Sequence, residues 1–122
     1  MKRKPSYETL YNRFLAGIEK TKSVDYSDKA SIRRNNAGVD QYREAAERIA
    51  ELYRDRIDEF ALLLNSNDVK ERQCCAICMV EIMKVTDQKL KLALGEIKNY
   101  YDSYADEAEK MIIDVWLKKY DQ

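Results

Sequence analysis

At 122 residues and 14.4 kDa the chain has the length of one ordinary domain, and with 45% hydrophobic and 36% charged residues but only three Gly and one Pro it excludes collagen-like, low-complexity and turn-rich all-β folds. It has no histidine, which removes Ser-His-Asp and Cys-His catalysis, His-ligated metals and imidazole pH switches. Its 22 basic and 22 acidic residues cancel, so the whole chain offers no electrostatic footprint for nucleic acid, although residues 1–43 carry +5 and residues 44–122 carry −5.

The first periodic segment holds Tyr7, Leu10, Tyr11, Phe14, Leu15 and Ile18 at threes and fours, which predicts an amphipathic helix with Ser6, after Pro5, as its N-cap. A polar connection around Val24 to Ser27 follows. From about Asp28 to Tyr53 the recurrence of Ile32, Asn36, Val39, Tyr42, Ala46, Ile49 and Tyr53 predicts a long helix. Gly38 in its interior, at a cost of about 1 kcal/mol relative to Ala, implies a kink or a close helix contact there. Ile57, Phe60, Ala61 and Leu64 mark a short third helix, stopped by Asn65-Ser66-Asn67.

Asp68 or Asn67 is placed to cap a fourth helix with Val69, Arg72, Cys75, Ala76, Met79, Val80 and Met83 on one side. Leu90, Ala93, Leu94, Ile97 and Tyr101 define a fifth helix; Tyr104, Ala105, Ala108, Met111, Ile112, Val115, Trp116 and Tyr120 define a sixth. A shift of 36 residues lays Val69, Cys75, Ala76, Met79 and Val80 on Ala105, Met111, Ile112, Val115 and Trp116. The expected fold is therefore all-α, about six helices in antiparallel pairs stacked as a short solenoid. One domain spanning 1–122 is expected, with 1–54 as capping helices and 55–122 as two pairs.

Cys74, Cys75 and Cys78 invite a zinc or iron-sulfur reading, but a tetrahedral site lacks its fourth soft or nitrogen ligand, and compact buried packing is the better reading. Three cysteines within five residues also make a poor disulfide framework and fit a reducing compartment. Glu44, Glu47 and Glu51 share a helix face, as in all-α pyrophosphohydrolases that hold magnesium on paired carboxylates, yet Arg43, Arg48 and Arg54 interleave as on a solvated, salt-bridged face. Arg33-Arg34-Asn35-Asn36 reads as a buried Asn36 tying the preceding connection to the second helix, with the arginines as the competing partner contact.

Tyrosine is abundant, with nine copies. Tyr100, Tyr101 and Tyr104 cluster beside Asp102, Asp106, Glu107 and Glu109. Aromatic rings with hydroxyls are common interface anchors, and carboxylates around them suit a basic partner, so these seven are the candidate partner-binding residues. The competing reading packs Tyr101 and Tyr104 inward and gives the acids to the N-terminal dipole of the sixth helix. No catalytic, cofactor or metal residue is expected. The opening Met-Lys-Arg-Lys-Pro and the lack of an 18-residue apolar run predict a cytoplasmic protein with no membrane segment.

Residues 28–120 resemble a small HEAT-like family of bacterial proteins. The resemblance is carried by Ile32-Arg33-Arg34-Asn35-Asn36, Leu62-Leu63-Leu64, Asn67-Asp68-Val69 with Arg72 and Ala76, and the terminal Val115-Trp116-Leu117. The segment from Asp68 to Ala76 is similar to the opening of the second helix in such a repeat, with the Val-to-Arg step two residues longer. Proteins of this kind look similar to immunity proteins encoded beside polymorphic toxins, including contact-dependent growth inhibition systems. That likeness implies a non-enzymatic inhibitor of a cognate protein toxin, one expected to be a nuclease, with no direct contact to nucleic acid. A regulatory or scaffold repeat protein and a magnesium-dependent nucleotide pyrophosphohydrolase are the alternatives.

Overall fold

A computed structural model describes residues 3–121. Within them the chain is all-α: α1 (Tyr7–Lys20), α2 (Lys29–Leu52), a 3₁₀ turn (Arg54–Arg56), α3 (Ile57–Phe60), a second 3₁₀ segment (Ala61–Asn65), α4 (Val69–Glu81), α5 (Asp87–Ser103) and α6 (Glu107–Tyr120). They form two compact units, one ending at Phe60 and one starting at Ala61.

The first unit is an antiparallel helix pair closed by α3. The Ser6 hydroxyl accepts from the Thr9 amide at 3.1 Å and starts α1, as the sequence implies, while Asp28 accepts from Ala30 at 3.0 Å and starts α2. Leu10, Phe14 and Ile18 of α1, Ala46 and Ile49 of α2 and Phe60 of α3 are all fully buried and make up the core of this unit. Phe14 meets Phe60 and Tyr42 edge to face, with ring centroids 4.9 and 5.6 Å apart. At the far end the Tyr53 hydroxyl donates to the Pro5 carbonyl at 2.6 Å.

Gly38 marks a close helix crossing, and α2 runs unbroken through it. A Cβ built there would stand 2.5 Å from the Gly17 carbonyl oxygen, and one built on Gly17 would stand 2.8 Å from the Gly38 oxygen. Hydrogen atoms on both Cα atoms are therefore what lets the two backbones touch. The expectation of a buried Asn36 is overturned. Asn36 is exposed and Asn35 is half-covered, because the crossing turns Gly38, Ala45, Ala46 and Ile49 inward and leaves Asn36 on the outer side.

In the second unit, α4 lies between the 3₁₀ segment and α5. Asp68, not Asn67, supplies the cap, accepting from the Lys70 and Glu71 amides at 2.8 and 3.2 Å. Cys74, Cys75, Ala76, Cys78, Met79 and Val80 are buried together with Ala93, Leu94 and Ile97 of α5. The Arg72 guanidinium meets Glu96 of α5 at 2.9 Å and the Ser66 carbonyl at 2.6 Å, joining both neighbours of α4. The α4–α5 connection reverses through Lys84 and Asp87, both in the left-handed region.

α6 runs antiparallel to α5 and contributes no buried residue. It is held through Tyr100 to Glu109, through Lys98 to Asp121 at 2.7 Å, and by the Trp116 indole donating to Glu81 of α4 at 2.7 Å.

Candidate interaction surface

The corner where α5 turns into α6 gathers most of the expected partner-binding residues. Asp106 and Glu109 form a capping box: the Asp106 carboxylate accepts from the Glu109 amide at 2.8 Å, and the Glu109 carboxylate accepts from the Asp106 amide at 3.2 Å. Glu109 also accepts a short hydrogen bond from the Tyr100 hydroxyl. Burial, and then that neighbouring carboxylate, pushes the Tyr100 phenol up to about 12. The Tyr100 ring stacks on Tyr104 with centroids 5.9 Å apart.

Tyr104 closes α5 and is 53% exposed. Its ring rests on that of Tyr100 on one side and stays open to solvent on the other. Tyr101 goes another way. Its hydroxyl reaches Asp114 at 3.4 Å and its ring lies under the Lys110 ammonium at 5.5 Å. Partial burial and the Asp114 carboxylate raise its pKa. Asp102, Asp106 and Glu107 are exposed.

The two readings of this cluster thus divide it by residue. Asp106, Glu109 and Tyr100 have structural duties, while Asp102, Tyr104 and Glu107 face solvent. Beside them lies a further feature, formed by residues whose spacing defines the sixth helix. Met111, Ile112 and Val115 are each 70% exposed, and with exposed Ala108 they make an apolar stripe along α6. The half-covered side of the same helix carries Ile113, Trp116, Leu117 and Tyr120. Counting the apolar residues of α6 would have revealed a surplus over what one covered side needs.

The other candidates lie elsewhere. Glu44, Glu47 and Glu51 are exposed along α2, and Glu44 borders an open groove of about 540 Å³ with Arg13, Asp40 and Arg48 at its rim. Cys74, Cys75 and Cys78 are buried thiols; the Cys75 sulfur approaches that of Met79 at 3.8 Å, and burial pushes the Cys75 thiol well up. A thiol held protonated in apolar surroundings is inert as nucleophile and ligand. Arg33 and Arg34 are exposed.

What these features define is an all-α protein with an open aromatic, acidic and apolar surface around α6. Among the described residues no helix is long and apolar enough to cross a membrane. No protein-family model, no curated protein and no solved structure matches the chain.

Proposed function

We propose that this chain is an immunity protein: a cytoplasmic, non-enzymatic inhibitor that binds one cognate toxin, a nuclease, and covers its active or substrate-binding surface. The observation that carries the reading is the α5–α6 corner, where Tyr104 is half-exposed on a fixed support and is flanked by the exposed carboxylates of Asp102 and Glu107. A nuclease groove is basic because it holds phosphates. Carboxylates around an aromatic anchor would steer such a groove into contact and slow its release. The resemblance to small HEAT-like immunity proteins supports the same role.

The test first asks whether the neighbouring reading frame encodes a toxin, and then uses that protein as the binding partner. Asp106 is left intact because it caps α6. Tyr104→Ala combined with Asp102→Lys changes two exposed positions, and at an interface anchor it should weaken toxin binding by about 2 kcal/mol or more, roughly 30-fold. Protection of cells making the toxin should fall in parallel, with the circular dichroism spectrum unchanged. Unaltered affinity would remove this corner as the contact surface, and failure of the unmodified protein to bind or protect would overturn the inhibitor reading itself.

A further inference from the structure

We infer that the apolar stripe of α6 is a self-association surface, on which two copies of the chain pair α6 against α6 in antiparallel fashion. The stripe is continuous, with Ala108, Met111, Ile112 and Val115 at the spacing that places them on one side of a helix. At 70% exposure apiece, Met111, Ile112 and Val115 alone offer about 400 Å² of apolar surface, within the range of the largest patch on a typical monomer, which is often functional.

Charge selects the occupant. Glu107 and Lys118 stand three helical turns apart, about 16 Å, on the same flank of the stripe and at its opposite ends. The midpoint between them falls beside Ile112, the centre of the apolar row. A two-fold axis through that point sets Glu107 of each copy against Lys118 of the other, giving two symmetric ion pairs around one apolar seam. Neither residue has an ion-pair partner among the described residues. The same axis runs the two helix dipoles head to tail, with Asp106 and Glu107 at one end and Lys118 at the other. A parallel pair would instead oppose Glu107 to Glu107 and Lys118 to Lys118.

Two stripes bury about 800 Å², and their flanks bring the contact to the lower end of specific interfaces, about 1,200 Å². A contact at this lower end belongs with weak, reversible associations, for which a dissociation constant on the order of micromolar is the working expectation. Glu107 borders both this stripe and the toxin-facing corner, but toxin binding is tested at Tyr104 and Asp102 and self-association at Ile112, so either reading can fail alone.

Sedimentation equilibrium of the purified chain from 1 to several hundred micromolar, roughly spanning that constant, is the test. The expected result is a monomer–dimer equilibrium. Ile112→Lys, at an exposed position, should leave the helical spectrum intact and make the protein monomeric throughout. Glu107→Lys alone and Lys118→Glu alone should each weaken the dimer about tenfold, and the two together should restore it. A monomer at every concentration, a dimer indifferent to Ile112→Lys, or a charge swap without rescue would each overturn the proposal.

Discussion

Replacing Gly38 with Ala sets two effects of opposite sign against each other. Alanine is the better helix former by about 1 kcal/mol, and Gly38 is well inside α2 with no positive φ to defend. The new methyl, however, would stand 2.5 Å from the Gly17 oxygen and 2.7 Å from Lys20 Cβ. The first is backbone and the second is fixed to it, so α1 and α2 must separate. Forced repacking of this kind costs about 1–3 kcal/mol, and with two rigid neighbours the upper part of that range applies. The net expectation is a destabilisation of about 1–2 kcal/mol, or a urea midpoint lower by about 1 M, followed by far-ultraviolet circular dichroism. Gly95 provides the control. It is exposed in α5, and a methyl placed on it would meet nothing within 4 Å, so Gly95→Ala should stabilise by close to the full propensity gain of about 1 kcal/mol. The double replacement Gly17→Ala with Gly38→Ala should cost less than the two single costs combined, because one separation relieves both clashes. If Gly38→Ala stabilises as Gly95→Ala does, the helices do not cross at backbone contact and the reasoning fails.

Two further outcomes concern the α5–α6 corner. Asp106→Ala should lower stability by about 1 kcal/mol in urea unfolding followed by the fluorescence of Trp116, the only tryptophan, while Asp106→Asn should retain most of it; equal behaviour of the two would mean that the cap does not form. Tyr100 should titrate near 12, read from its ring carbon resonance, and Glu109→Gln should bring it down. Because the folded chain holds that phenolic proton more tightly than the unfolded chain does, the associated stability is complete below about pH 10 and is lost as the pH climbs towards 12. A Tyr100 that ionises with the exposed phenols would refute its contact with Glu109.

Much of the secondary structure was legible because the signals were local. Ser6 and Asp68 each close a hydrogen bond within three residues, and the apolar spacing of Leu10, Phe14 and Ile18 needs only the helical period to be read. Gly38 announced a close contact, but its partner Gly17 lies in another helix, and no local rule couples the two. Asn36 illustrates the opposite failure. It satisfied the apolar period of α2, yet the crossing angle set by the two glycines decides which residues of that period meet α1, and Asn36 falls outside. In the aromatic corner the sequence located the cluster but could not assign duties. Glu109 serves both the cap and Tyr100, while Tyr101 turns to Asp114 and Lys110, and those choices depend on how α6 folds back on α5.

The 36-residue similarity between α4 and α6 explains why the open stripe escaped notice. Periodicity states which side of a helix is apolar; neighbours decide whether that side is covered. Cys75, Ala76, Met79 and Val80 are buried because α4 has a 3₁₀ segment on one side and α5 on the other. Their counterparts Met111, Ile112 and Val115 follow the same spacing on a helix whose main neighbour is α5 alone, and they remain in solvent. A 14-residue helix is marginal on propensity, so α6 depends on its capping box, on Tyr100 and Lys98 of α5 and on the bond from Trp116 to Glu81. These contacts fasten α6 at its ends and along its half-covered side without shielding the stripe. A helix anchored in this way can present apolar residues to another molecule at little ordering cost, which is the physical requirement that a binding surface shares whether its occupant is a toxin or a second copy.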